Sequence, residues 1–382
     1  MQLVDIKIRI HNLWMALVVL LLACHCEGTP PKLTEKPAIK ANQPFNVILL
    51  IGDGMGLSQL SSSFYFSDQL PNFARFKTIG LSNVIAANSK ITDSAAGATS
   101  FASGIKTFNG AIGVDMDKQP VENIVELLSK ENYQTGLIAT SSITHATPAS
   151  FYAHVASRDW EEQIAAQMAT SPIDFFAGGG LKFFENRKDG KNILNLLKSA
   201  GFEVHTDHLE KEIDGSKRHA FLLGEEDMPK MIEGRGNFLA ESTQKALNYF
   251  EENSSPFFLM VEGSQIDWGG HDNDAEYLIT ELLDFDQMVG SVLDYAEKEG
   301  NTLVIVTADH ETGGFTLSSK VTGQNSKGKD KHDYNLIVPT FSTTGHSASL
   351  IPVLAFGPQS AQFSGFYQNS DVYHKIRAAL AQ

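Results

Sequence analysis

Between Val261 and Asp272 the chain reads VEGSQIDWGGHD, with a glutamate, an aspartate and a histidine in quick succession. The run before it, PFFLMV (256–261), is apolar throughout and reads as a buried strand, so Glu262 stands where the chain leaves the core. Carboxylates at a buried edge repel one another unless a Lys, an Arg or a metal ion lies between them. Asp267 and His271, four residues apart, are weak evidence alone, because such pairs are common on helix surfaces. Asp309-His310, directly after TLVIVTA (302–308), is a better candidate, since adjacent side chains at a strand end can grip one ion. Its competing reading is an N-cap aspartate beside a bystander histidine. His346, in TTGHS, has no meaning by itself, and His205, His208, His219 and His332 read as surface residues.

Gly52-Asp53-Gly54-Met55-Gly56 follows the apolar run NVILLIG. A dinucleotide-binding loop fails here: the third glycine of G-x-G-x-x-G falls on Leu57, and an aspartate in the loop would repel a pyrophosphate. A tight strand-to-helix turn accounts for the glycines, and a metal ligand at the strand tip accounts for Asp53. The stretch TDSAAGATS (92–100) is small and helix-compatible. One reading is close helix packing. The other sets Ser94 at a helix N-terminus, where the dipole and free N–H groups favour an anion. No G-x-S-x-G elbow is present and no histidine is near in sequence, so a metal ion is the economical activator of that serine.

The elements that must hold these residues alternate along the chain. Runs 46–52, 135–140, 257–263, 302–308 and 350–357 read as buried strands, and 121–132, 192–201, 240–253 and 277–300 have helical spacing. That alternation predicts an α/β fold, a doubly wound and mostly parallel sheet flanked by helices on both faces. Ligands of such sheets collect beyond the carboxyl ends of the strands. Asp53, Glu262 and Asp309-His310 all fall there, and Ser94 and the 145–147 stretch follow apolar segments. The polar, lysine-bearing stretch 318–335 reads as a solvated surface loop.

Thirty basic against 45 acidic residues give a net charge of −15, which disfavours nucleic acid and anionic membrane surfaces as partners. An anionic substrate would need local positive charge. Cys24 and Cys26 are the only cysteines, so the folded domain has no disulfide framework. They end a targeting segment in which Lys7 and Arg9 precede LWMALVVLLLA (13–23), a run too short to span a bilayer. Residues 1–23 read as a signal peptide, 24–42 as a tether and 43–382 as a single domain. Leu21-Leu22-Ala23-Cys24 also has the form of a lipobox. Two readings stand: a periplasmic or extracellular soluble protein, or one anchored to the membrane by a lipid on Cys24.

Taken together, NVILLIGDGMG, ITDSAAGATSFASG, KTFNGAIGVD, THATPASFYAHVASRD, VEGSQIDWGGHD, NTLVIVTADHETGG and TTGHSA resemble the alkaline phosphatases, in that family's order, from about Asn46 to Ile376. The likeness is greatest to the small bacterial members with short insertions. It implies a secreted phosphomonoesterase, a homodimer, two zinc ions and one magnesium. Carried over by position, Asp267, His271 and His346 would hold the first zinc, and Asp53, Asp309 and His310 the second. Asp53, Thr147 and Glu262 would hold the magnesium. Ser94 would be the nucleophile that forms a phosphoserine, and Arg158 would grip the phosphate. His145 and Trp268, which are aspartate and lysine in some members, would stand beside the third metal. The residue chemistry agrees: zinc suits imidazole and carboxylate, magnesium suits an all-oxygen site, and arginine offers a planar fork to phosphate. The rival readings are a phosphodiesterase or sulfatase of the same superfamily and a non-catalytic phosphate-binding protein.

Overall fold

The structure, a computed structural model, describes residues 45–381 apart from 186, 210 and 211. The signal segment and tether read from the sequence, with Cys24 and Cys26, lie outside the described residues.

In chain order the strands are β1 (Asn46–Gly52), β2 (Thr78–Asn83), β3 (Gln134–Ser142), β4 (Phe175–Gly179), β5 (Phe202–His205), β6 (Arg218–Gly224) and β7 (Phe257–Gly263). They continue with β8 (Thr302–Thr307), β9 (Glu311–Thr312), β10 (Thr316–Gln324), β11 (Asp330–Thr340), β12 (His346–Ser347), β13 (Ile351–Phe356) and β14 (Gly365–Gln368). Ten of these form one sheet in the order β14-β2-β13-β8-β1-β7-β3-β4-β6-β5. Every described pairing in it is parallel except the two made by β13. The expected architecture is therefore present.

β1 lies at the centre because it is apolar on both faces. Alternate side chains of a strand point to opposite sides. Val47, Leu49 and Ile51 enter one core with Phe101, Phe151 and Ile376, while Ile48 and Leu50 enter the other with Phe285, Val289 and Leu293. The long helix Ala275–Glu299 covers the second face, beginning at the Asp274 cap and ending at Gly300, whose φ of 80° suits glycine. Asn123 and Glu126 form a reciprocal cap that starts the helix Ile124–Lys130 three residues later than its apolar pattern suggested.

Two expectations need correction. Residues 318–335 are not a loop: β10 and β11 pair as an exposed antiparallel ribbon turned at Asn325, whose backbone N–H donates to Lys329 O at 2.8 Å. Two strands satisfy each other's backbone without a buried face, so polar lysine-rich composition does not exclude them. His219 is not a surface residue but fully buried on β6, its Nε2 2.8 Å from Asp214 O. β4 has only three apolar residues before its glycines and β6 opens on Arg218 and His219, so neither stands out as a long apolar run.

Candidate metal and phosphate site

Register brings the candidates together. Ile51 of β1 pairs with Glu262 of β7 on one side and Thr307 of β8 on the other, and Ala139 of β3 also pairs with Glu262. The carboxyl ends of four strands are thus level, and Asp53, Glu262 and Asp309-His310 emerge side by side. The helix Ser94–Ser103 then closes over them. Its Gly97 packs so near Asp309 that an added Cβ would sit 3.0 Å from the aspartate Cβ.

Three groups of ligand-type side chains result: Asp267, His271 and His346; Asp53, Asp309 and His310; and Asp53, His145 and Glu262. In the first group His271 Nε2 and His346 Nε2 face each other at 3.2 Å, with Asp267 oxygens 3.3 and 3.7 Å from them. Both Nδ1 atoms meet backbone carbonyls, Thr344 O at 2.6 Å and Thr92 O at 2.9 Å. A carbonyl only accepts, so Nδ1 carries the proton and two Nε2 lone pairs converge beside a carboxylate. Such an arrangement calls for a cation. Hydrogen bonding to Asp267 lifts His271 to about 9 against its partial burial. Burial opposes the charge on Asp267, but His271 and the other imidazoles still hold its carboxyl below the usual range.

The second group is fully buried. His310 Nε2 lies 3.2 Å from Asp309 Oδ2, 3.6 Å from Asp53 Oδ1 and 3.2 Å from Ser94 Oγ. Burial depresses His310 against the pull of Asp309, which favours the neutral ring, the form that can ligate. Asp309 Oδ1 accepts from the backbone of Gly54 and His310, which leaves Oδ2 unpartnered. In the third group Glu262 Oε2 accepts from Ser264 Oγ at 2.6 Å, and its Oε1 has no partner. Both oxygens of Asp53, Thr147 Oγ1 and His145 Nδ1 are likewise sealed from solvent without a hydrogen bond. Burial, joined by the charges of Asp309, Asp267 and Glu262, raises Asp53 well above the carboxylate range. Burial also pushes Glu262 up to about 8, against its bond from Ser264. Unsatisfied oxygens this concentrated are costly to bury and are what a bound cation would satisfy.

Ser94 opens its helix, with Asp93 as the cap accepting from Ala96 N at 3.0 Å. Asp93 Oδ2 also accepts from Gly110 N at 2.9 Å and from Arg158 Nη1 at 3.3 Å. Arg158 Nη2 donates to His145 Nε2 at 3.0 Å, which leaves the neutral His145 ring with its proton on Nδ1. Burial and the Arg158 charge lower His145 to about 3. Of the five guanidinium donors, these two bonds leave three for a ligand. Trp268 meets His145 edge to face at 5.9 Å.

Every residue read from the sequence as a site residue therefore falls in this one region, with one difference of detail. His145, expected beside the third group, lies within ligand range of Asp53 and Glu262 because it caps the short helix Ala146–Ala149 just past β3. Sequence reasoning missed Asp93, Ser264, Glu311 and Thr312. Glu311 is buried and accepts from Gln59, Phe315 N and Ser347, so it braces β9, which follows His310, against β12, which carries His346. Their adjacency to singled-out residues was the available signal.

A doubly wound α/β protein, with a serine set against carboxylate and imidazole groups at the strand ends, is the class that fold and site define. The family model for alkaline phosphatase matches residues 45–338, and the chain belongs to the alkaline phosphatase family, metal-dependent enzymes acting on phosphate monoesters. Alkaline phosphatase 4 of Bacillus subtilis is 31% identical, across 94% of this chain and 94% of its own. The solved alkaline phosphatase of the Antarctic bacterium TAB5 is 53% identical with a TM-score of 0.84, covering 89% of this chain and 99% of that one. A histidine-to-aspartate variant of the TAB5 enzyme, solved with Mg bound in its M3 site, gives a TM-score of 0.85 at 53% identity over 88% and 98%.

Proposed function

We propose that this chain is an exported phosphomonoesterase that hydrolyses phosphate monoesters through a phosphoserine on Ser94. Asp267, His271 and His346 would hold one zinc ion, and Asp53, Asp309 and His310 a second. Asp53, Thr147 and Glu262 would hold magnesium, with His145 and Trp268 alongside. The observation that carries this reading is the set of unpartnered buried atoms on Asp53, Thr147, Glu262 and Asp309, beside three convergent imidazoles. Their donor types suit the ions: imidazole and carboxylate for zinc, oxygen alone for magnesium. Magnesium in the M3 site of the TAB5 variant supports the last assignment. Bound metal ions would neutralise the phosphate dianion and stabilise charge on the attacking and leaving oxygens.

The chain's own groups then have distinct tasks. The Arg158 fork, fixed on one edge by Asp93 and His145, orients two phosphate oxygens. Ser94 Oγ, at the positive end of its helix, attacks phosphorus while the ester oxygen departs with the alcohol. Water then cleaves the phosphoserine, releases inorganic phosphate and restores the hydroxyl. The acidic chain favours neither nucleic acid nor anionic surfaces. Export rests on the basic and apolar segment 1–23, membrane attachment on lipidation of Cys24, and a homodimer on kinship alone. No helix among the described residues is long and apolar enough to cross a membrane.

Metal analysis of the purified protein, with hydrolysis of an aryl phosphate before and after chelation, tests the reading. Two zinc and one magnesium per chain, with activity lost on chelation and restored by those ions, is the expected result. Faster turnover of a phosphodiester or a sulfate ester, or full activity without metal, would overturn it.

A further inference from the structure

Thr312 lies on β9, two residues past His310, and is 1% exposed. A threonine hydroxyl has one proton to give and lone pairs to accept with. Its proton goes to Asp267 Oδ1, because an ionised carboxylate can only accept. The lone pair is then left for His310 Nδ1, 3.1 Å away, which must carry the ring proton. That choice frees His310 Nε2 to face Asp309 Oδ2 and Asp53 Oδ1. One hydroxyl thus orients Asp267 in the first group and His310 in the second.

The rest of the residue ties the same parts together. Thr312 N donates to Gly54 O at 3.2 Å, next to Asp53. Thr312 stands opposite His346 in the β9–β12 pairing. Added Cβ atoms on Gly54 and Gly270 would meet Thr312 Oγ1 at 2.9 Å and Thr312 Cβ at 3.0 Å, so both neighbours are glycines where this side chain passes. The strand tip after β1, the helix Gln265–His271 and β12 all close on it.

We propose that Thr312 is a positioning residue shared by the two groups, its single hydroxyl supporting metal affinity at both together. The inference rests on reading the groups as zinc sites. Valine has nearly the shape of threonine but can neither donate nor accept. It would leave His310 Nδ1–H buried without an acceptor, free the ring to change tautomer, and take a donor from Asp267. Serine restores the hydroxyl.

The test is zinc release from the zinc-loaded full chain into a competing chelator, followed with a zinc indicator, for parent, Thr312→Val and Thr312→Ser. Circular dichroism melts of the metal-stripped forms check folding. Loss of a group that orients metal ligands commonly costs about 10–100-fold in metal affinity, so both zinc equivalents of Thr312→Val should leave at chelator activities lower by about that factor. Thr312→Ser should stay within about threefold of the parent, and His271→Ala should shift one equivalent far more than the other. Unchanged midpoints in Thr312→Val, or a shift in only one equivalent, would overturn the proposal. A parent that loads no zinc would overturn the zinc reading itself. If Thr312→Val does not fold, Thr312→Ala carries the same comparison, since it also lacks the hydroxyl but crowds nothing.

Discussion

Replacing Arg158 with alanine separates phosphate binding by this chain's side chains from binding by metal. The cost to the fold is the smaller of the two losses. Asp93 keeps its bonds from Ala96 N at 3.0 Å and Gly110 N at 2.9 Å, so losing the partly exposed 3.3 Å pair costs under about 1 kcal/mol. His145 Nε2 loses its donor, a further cost of about 1–3 kcal/mol. The substrate loses more. Two charge-assisted hydrogen bonds to phosphate oxygens at about 1.5–3 kcal/mol each amount to about 3–6 kcal/mol. Converted at about 1.4 kcal/mol per decade, kcat/KM should fall about 10²–10⁴-fold. Arg158→Lys keeps the charge without the fork and should recover part of the loss. The assay is kcat/KM on an aryl phosphate and Ki for inorganic phosphate, on variants with parental zinc content and melting behaviour. A change below about tenfold in both constants would refute a phosphate-gripping role for Arg158.

Ser94→Ala should keep its zinc, lose about 10²–10⁴-fold in kcat, and yield no covalent phosphate after acid quench; label on another residue would move the nucleophile elsewhere. His145→Asp adds a carboxylate beside Asp53 and Glu262, so magnesium titration of zinc-reconstituted enzyme should shift to about tenfold lower concentration, whereas equal midpoints would mean that residue 145 does not tune the site. His154 meets two acceptors, Gly113 O at 2.7 Å and Glu126 Oε1 at 3.0 Å; burial works against its charge, but these bonds lift it above its ordinary value. A raised histidine contributes stability that is full below the unfolded value of about 6.5 and is lost as pH climbs through the folded one. His154→Gln should therefore melt below the parent near about pH 6 and close the gap near about pH 10; a gap constant across that range would exclude the ion pair as its source.

How much was legible depended on how local each cause is. β1, β7 and β8 stand out because a strand buried on both faces must be apolar throughout, a property of adjacent residues. Asp53, Glu262 and Asp309 were found by the same route, since strand ends in a parallel sheet share one edge. Ser94 was found through helix-end chemistry, which spans one turn. His346 was different: TTGHS alone gives it no meaning, and only the pairing of β12 with β9 brings it to Asp267. Glu311 and Thr312 sit beside His310 in sequence, yet their roles depend on Ser347 and Asp267, far along the chain. The burial of His219, the β10–β11 ribbon and the Arg158–His145 bond also arise only when distant segments meet. The sequence by itself determined the apolar strands, the alternation that makes a parallel sheet and the carboxylate and imidazole side chains at its edge, all written in neighbouring residues. Tertiary structure alone decided which side chains share a group, which nitrogen of each histidine faces it and which oxygens go without a partner, because those depend on register between strands far apart in the chain.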